Sequence, residues 1–161
     1  MDDMKRALAI LTLLLFGLLF SLSQAASGQD ADIAVVVNPA NGTSSLTVGE
    51  LRKIFAGEKR SWPGGIPIKL LARAAGTRER TAMLDLLGIK ESDYNRYWST
   101  QMYRGEGQSQ PAVLPSIGMV KEALKAYPGA VALVDSRDVK AEMKVIKVDG
   151  HLPGESGYRL H

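Results

Sequence analysis

Apolar residues occur along this chain in short runs, and the runs alternate with segments in which apolar positions recur every three or four residues. The runs lie at residues 33–37 (IAVVV), 66–72 (IPIKLLA), 130–134 (AVALV) and 144–148 (KVIKV). Runs of this length predict β-strands, and uninterrupted ones are typical of strands covered on both faces. The sequence therefore predicts four strands, of which the first and the third are fully buried.

Two helices are predicted in the first half of the chain from their capping residues. Thr47 and Glu50 form a capping box, in which each side chain bonds the backbone N–H of the other. Thr77 can cap a helix over residues 78–87, and Gly88 is a natural end for it. The apolar positions at helical spacing in these two segments are Leu51, Ile54, Phe55, Ala82, Met83, Leu86 and Leu87.

Two further helices are predicted in the second half. We expect Ser92 or Asp93 to cap the third and Ser116 to cap the fourth. Residues 103–115 between them have the composition of a long polar loop, and loops of this length are often functional. The positions expected to face inward are Tyr94, Tyr97, Trp98 and Met102 in the third helix and Ile117, Val120, Leu124 and Tyr127 in the fourth. Strands that alternate with helices indicate an α/β sandwich on a mostly parallel or mixed sheet.

Trp62 is the residue for which packing and ligand binding are the competing interpretations. It precedes Pro63-Gly64-Gly65, a turn into the second strand. A tryptophan in this position buries a large apolar ring, so we expect a structural anchor rather than a ring that stacks on a ligand.

Residues 1–25 have the pattern of an export signal. Lys5 and Arg6 precede an almost wholly apolar stretch at residues 7–22, and Ser23-Gln24-Ala25 offers small residues for cleavage. The stretch is shorter than the roughly 20 residues that span a bilayer comfortably, although an uncleaved anchor stays open. We therefore expect a periplasmic protein whose mature domain comprises residues 26–161.

The composition limits the kinds of ligand, metal site and catalysis that the chain can support. The 161-residue chain has no cysteine and a formal net charge of +3, which favours anionic ligands but is too diffuse to indicate a nucleic acid partner. Its two histidines, His151 and His161, lie in the C-terminal tail, and no metal-ligand spacing, nucleophile elbow or Walker loop occurs. We therefore expect a binding protein, not an enzyme, without metal or cofactor.

An apolar run, a small-residue turn and an arginine-rich helix start follow one another at residues 70–80 (LLARAAGTRER). The free N–H groups and the dipole of a helix N-terminus favour an anion there. Arg73, Arg78 and Arg80 surround that point. The competing interpretation is a capped helix with solvated arginines.

Several segments together resemble the substrate-binding proteins of phosphate ABC transporters, in particular short, phosphate-binding-protein-like periplasmic domains. The resemblance covers about residue 33 to the end and depends on the order and spacing of the whole set. The matching segments are LTVGELRKIFAG at 46–57, WPGG at 62–65, GT at 76–77, YW at 97–98, GEG at 105–107, YPGAV at 127–131, VIKVDG at 145–150 and YRL at 158–160.

The resemblance implies a single lobe of the periplasmic binding protein type II fold, with a mixed sheet flanked by helices. It also implies that Thr77 and the amides near Gly76 hold phosphate or a related oxyanion, with charge from Arg78 or Arg80 and a contribution from Arg73. An ABC permease would then be the partner. The family's Gly-Ser-Gly-Thr turn is Ala74-Ala75-Gly76-Thr77 here, so the serine hydroxyl is missing.

The resemblance leaves a second function open. A chain long enough for about one lobe could keep the fold and bind a protein or envelope partner without transporting a solute. A single lobe cannot enclose a phosphate on all sides, so ligand capture by it would be weaker than by two lobes.

The export pattern makes a prediction about the mature chain. We expect the exported protein to begin near Ala26, because Ser23-Gln24-Ala25 is the cleavage sequence. Intact-mass analysis of the exported protein, from both the periplasmic and the membrane fractions, measures this directly. A mass that retains residues 1–25 would instead indicate a membrane-anchored form.

Overall fold

The computed structural model describes residues 31–104 and 110–161, and their centre is a six-stranded mixed sheet. The sheet has the strand order β2-β6-β1-β5-β3-β4. β1 is antiparallel to its neighbours β5 and β6, whereas β3 is parallel to both β4 and β5. The strands are β1 (Ile33–Val37), β2 (Ser45–Leu46), β3 (Lys69–Arg73), β4 (Ala112–Leu114), β5 (Ala130–Asp135) and β6 (Lys144–Val148).

Helices cover both faces of the sheet, which confirms the predicted α/β sandwich. Side chains of α1, α2 and α3 pack with one face, and those of α4 pack with the other. Every residue of β1 and β5 is buried for this reason, as their uninterrupted apolar runs predict. The helices are α1 (Val48–Phe55), α2 (Arg78–Leu87), α3 (Tyr94–Tyr103) and α4 (Ile117–Ala126), with short 3₁₀ turns at Glu91–Asp93 and Ser136–Asp138.

Three of the four predicted helix starts are confirmed at the capping residue. Thr47 and Glu50 make both halves of the capping box of α1. The Thr77 hydroxyl accepts the Arg80 N–H in α2, which ends at Gly88 in the left-handed conformation, and Ser116 caps α4. Local side-chain chemistry therefore determines where these helices begin.

The start of α3 differs from the prediction. Neither Ser92 nor Asp93 caps the helix with its side chain; a 3₁₀ turn leads into α3, and the Asp93 carboxylate pairs with Arg96 instead. Tyr94 and Trp98 are buried as expected, but Met102 is 53% exposed. The last turn of α3, with Met102 and Tyr103, lies outside the core.

Tyr127 was also expected to face inward, and 47% of it is exposed. It is the C-cap of α4 and has extended backbone angles (φ −116°, ψ 111°). The helical spacing from Val120 and Leu124 no longer applies once the backbone leaves the helix. The prediction failed because the pattern ran one residue past the end of α4.

The segment predicted as a polar loop at residues 103–115 contains a strand. Ala112–Leu114 forms β4 and pairs in parallel with Leu71–Arg73, although the strand is too short to show a periodicity. The Gly105-Glu106-Gly107 sequence and the expected signal at residues 1–25 lie outside the described residues. Within the ranges that the structure describes, no helix is long and apolar enough to cross a membrane.

Trp62 is an anchor between two loops at the start of β3 and β5. The residue is only 3% exposed, and its indole Nε1 donates to the Gly129 carbonyl at 3.0 Å. The backbone N–H of Lys69 donates to the same carbonyl at 2.9 Å. A Cβ on Gly129 would lie 1.8 Å from the Pro67 carbonyl oxygen, so only glycine permits this approach.

Loss of the Trp62 ring should strongly reduce stability. Trp62→Ala is expected to lower the free energy of unfolding by about 3–5 kcal/mol, because a large buried ring is removed. Trp62→Phe, which keeps most of the ring but loses the bond to Gly129, should cost less. Urea denaturation of the three proteins measures both effects, and a loss below about 1 kcal/mol for Trp62→Ala would contradict the packing role.

Candidate anion-binding site

The carboxyl ends of the parallel strands β3 and β5 meet at one edge of the sheet, where a short turn leads from β3 into α2. Gly76 in this turn has φ +83°, in the left-handed region that favours glycine. A Cβ built on Gly76 would have no heavy atom within 4 Å, so its backbone faces open space. Ala75 and Gly76 are exposed, so a ligand can approach this part of the turn.

Thr77 organises the start of α2. Its hydroxyl accepts the Arg80 N–H at 3.2 Å and donates to the Ala74 carbonyl at 2.9 Å. The amides of Arg78 and Glu79, in the first turn of the helix, have no intrahelical acceptor. They are the groups that an anion at this helix start would use.

Arg73 is the last residue of β3, and its side chain is only 13% exposed. Its Nη1 donates to the Leu114 carbonyl at 3.0 Å. Its Nε lies 3.5 Å from Glu79 Oε1 and has no hydrogen-bond partner among the described residues. This N–H is enclosed beside the Glu79 carboxylate, so an anion could use it only by displacing that contact.

Arg78 lies in the first turn of α2 and reaches the end of β5. Its Nη1 donates to Asp135 Oδ2 at 2.6 Å, and its Nη2 donates to the Ala31 carbonyl. Asp135 is 5% exposed and also accepts two bonds from the Arg137 guanidinium, at 2.9 and 2.7 Å. The hydrogen bonds from Arg137, with a smaller contribution from the Arg78 charge, hold the pKa of Asp135 far below its usual range.

Arg80 is engaged on the side of α2 that faces α3. Its Nε and Nη2 form a two-point contact with the Glu91 carboxylate at 2.9 and 2.8 Å. Its guanidinium carbon lies 3.4 Å from the ring centroid of Tyr94, and the side chain is 4% exposed. The hydrogen bonds from Arg80 lower the pKa of Glu91. The side chain of Arg80 thus bridges α2 to the start of α3.

The structure brings some of the predicted site residues together and keeps Arg80 apart from them. Arg73 and Arg78 belong to one group of charges, which we call the carboxyl-edge cluster: Arg73, Arg78, Glu79, Asp135 and Arg137. The Asp135 N–H points to Glu79 Oε1 at 3.5 Å and links the two halves of the cluster. Gly76 and Thr77 form the turn beside it, whereas Arg80 is held by its own partner, Glu91.

Sequence reasoning missed three members of this cluster, Glu79, Asp135 and Arg137. Asp135 directly follows a buried apolar run, which places it at the carboxyl end of a strand, and that position was a usable signal. The pairing of Asp135 with Arg78 spans 57 residues and had no sequence signal. In the part of the chain that the structure describes, no cluster of three potential metal ligands occurs.

The chain is similar in fold to several solved structures. An ABC-type phosphate transport receptor from Vibrio cholerae has a TM-score of 0.62 and 22% identity, covering 76% of this chain and 48% of the receptor. A putative phosphate ABC transporter substrate-binding protein from Clostridium perfringens, solved with bound phosphate, has a TM-score of 0.59 and 20% identity. The match covers 74% of this chain and 46% of that protein. PstS from Borrelia burgdorferi has a TM-score of 0.57 and 18% identity, and the match covers 76% of this chain and 49% of PstS.

These similarities identify the fold. The chain adopts the architecture of a single lobe of the periplasmic binding protein type II fold, a mixed sheet flanked by helices. It spans about half the length of the receptors that it matches. No family model matches the sequence.

The Asp135 contacts predict a pH-dependent contribution to stability. Because folding lowers the pKa of Asp135, the stabilisation is present above the unfolded pKa of about 3.9 and is lost as the pH falls below it. Asp135→Asn should lower the free energy of unfolding by about 1–3 kcal/mol at pH 7. The difference between the two proteins should shrink as the pH falls below about 4. Urea denaturation of both proteins from pH 7 to 3 measures this, and a difference that is constant with pH would contradict it.

Proposed function

We propose that this chain is an exported periplasmic lobe that recognises phosphate or a related oxyanion at the turn between β3 and α2. The observation that carries the proposal is the open glycine turn at the start of α2, with Arg73 and Arg78 beside it. The fold similarity to phosphate receptors supports the same ligand class. No covalent step is involved, so the activity is binding and not catalysis.

The proposed contacts combine amides with charge. The amides of Arg78 and Glu79 and the backbone near Gly76 donate to the oxyanion, as is general at helix N-termini. Arg73 is the strongest guanidinium candidate, because the residue directly precedes the turn and its contact with a carboxylate, 3.5 Å to Glu79, is longer than those of Arg78 and Arg80. The Thr77 hydroxyl takes part by turning its proton from the Ala74 carbonyl to the ligand.

The charge of the site favours weak anion binding. Within the carboxyl-edge cluster, Arg73 and Arg78 each face a carboxylate, so only part of their charge is available to an anion. A single lobe leaves the ligand open to water on one side, and exposed charge interactions are screened by salt. We therefore expect an affinity that falls with ionic strength and is lower than that of a receptor with two lobes. A permease of the ABC class is the proposed partner for a transport role.

A second function is favoured by a specific observation. Each arginine of the predicted site already faces a carboxylate: Arg73 faces Glu79, Arg78 faces Asp135 and Arg80 faces Glu91. An oxyanion must compete with these internal carboxylates. If it cannot, the lobe is better explained as a module that binds a protein or envelope partner without a solute.

Calorimetry with phosphate and sulfate at low and high salt tests the oxyanion proposal. Arg73→Gln and Arg78→Gln should each weaken binding about 10- to 100-fold, because each removes a charge-assisted contact. Thr77→Ala should weaken binding and also lower stability by about 1 kcal/mol, because the hydroxyl caps α2. Arg80→Gln should chiefly lower stability, since Arg80 is bonded to Glu91.

Matched controls separate the site from general charge effects. Thr77→Ser keeps the capping hydroxyl and should bind nearly as the unmodified protein does. Arg96→Gln removes an arginine whose side chain is 78% exposed and should leave binding unchanged. Absence of oxyanion binding at millimolar ligand would reject the proposal in favour of the partner-binding module.

A further inference from the structure

We propose a second binding site, for a small organic anion with a flat apolar body such as an aryl carboxylate, at the amino ends of β3 and β5. A cavity of about 650 Å³ opens there, within the size range of small-molecule sites. Its walls include Ile66, Lys69, Gln110, Tyr127 and Pro128. We call it the amino-edge pocket, because Lys69 begins the strand that Arg73 ends.

The floor of the amino-edge pocket is rigid. Gly129, which lines it, accepts hydrogen bonds from the Trp62 indole and from the Lys69 N–H. The Pro67 carbonyl packs so closely on Gly129 that no Cβ fits between them. The Ile68 N–H donates to the Arg60 carbonyl at 2.9 Å and ties the two sides of the same loop together. A preorganised wall lowers the entropy cost of binding a ligand.

The rim carries a positive charge without a carboxylate partner. The Lys69 ammonium lies 4.6 Å from the ring centroid of Tyr127 and makes no ion pair with any described residue. Among the described residues that line the pocket, none is an aspartate or a glutamate. The carboxyl-edge cluster differs in this respect, because there each arginine faces an acid. An anion that binds Lys69 therefore displaces no carboxylate of the described residues from it.

The apolar walls of the amino-edge pocket also favour a particular ligand shape. Ile66 is 39% and Tyr127 47% exposed, and Pro67 and Pro128 line the same cavity. A flat apolar body can cover these surfaces while its carboxylate meets Lys69. Inorganic phosphate would leave them in water, so the pocket selects a ligand class different from that proposed for the turn at Gly76.

The test uses benzoate with the purified protein and follows the indole N–H signals of its two tryptophans by NMR. Benzoate should shift the Trp62 signal in a saturable way, because that N–H bonds to Gly129 under the cavity. Trp98, which does not line the cavity, is the internal reference. Lys69→Gln should weaken benzoate binding about tenfold, whereas Lys69→Arg should largely retain it.

Two comparisons complete the design. Benzamide, which has the same ring without the charge, should bind at least tenfold more weakly than benzoate. Lys140→Gln, at an exposed position after β5, should bind benzoate as the unmodified protein does. Equal binding of benzamide, no effect of Lys69→Gln, or no saturable Trp62 shift at tens of millimolar benzoate would each overturn the proposal. Phosphate should not shift the Trp62 signal, so this result is independent of the site at Gly76.

Discussion

The burial of two carboxylates, Glu79 and Asp135, is the constraint on which the carboxyl edge of this fold depends. A buried carboxylate is costly unless it is paired and hydrogen-bonded. Asp135 meets this requirement with Arg78 from α2 and Arg137 from the turn after β5. Glu79 is paired with Arg73 from β3 and accepts a hydrogen bond from the Asp135 N–H at 3.5 Å. These pairs hold α2 against the ends of two strands, and Arg78 also bonds the Ala31 carbonyl just before β1.

The same pairs limit what the site can do for a ligand. Charge that neutralises an internal carboxylate is only partly available to an external anion, so the free amides at the start of α2 would be the main donors in the proposed site. Arg73 Nε and Arg80 Nη1 are both buried without a hydrogen bond among the described residues, but each guanidinium already faces a carboxylate. The charges at the opposite end of β3 are not paired in this way. Lys69 is exposed there and forms no ion pair with an acidic side chain among the described residues. One strand therefore separates a compensated charge cluster from an uncompensated cation.

Sequence reasoning succeeded where structure depends on neighbours along the chain. The caps at Thr47, Thr77 and Ser116 are satisfied within three residues, and the buried run of β1 is visible as five apolar residues. It failed where the outcome depends on distant contacts or on a helix end. Tyr127 turns outward because the backbone leaves the helix there.

In the candidate site, too, the local features could be predicted from the sequence and the long-range contacts could not. Residues 73–80 were identified because strand, turn and helix start are contiguous, but the partners of their arginines come from elsewhere. Glu91 and Asp135 engage Arg80 and Arg78 across 11 and 57 residues, so solvated arginines and anion-binding arginines looked alike in the sequence. Only the fold shows that Arg80 bridges α2 to the start of α3, whereas Arg73 bonds the Leu114 carbonyl and faces Glu79.

A titration of the backbone amides with phosphate, followed by ¹H–¹⁵N NMR, would show whether an oxyanion binds at the start of α2. Binding at this helix start should give saturable shifts that are largest at Gly76, Arg78 and Glu79, and the absence of saturable shifts at these residues would rule out the proposed site.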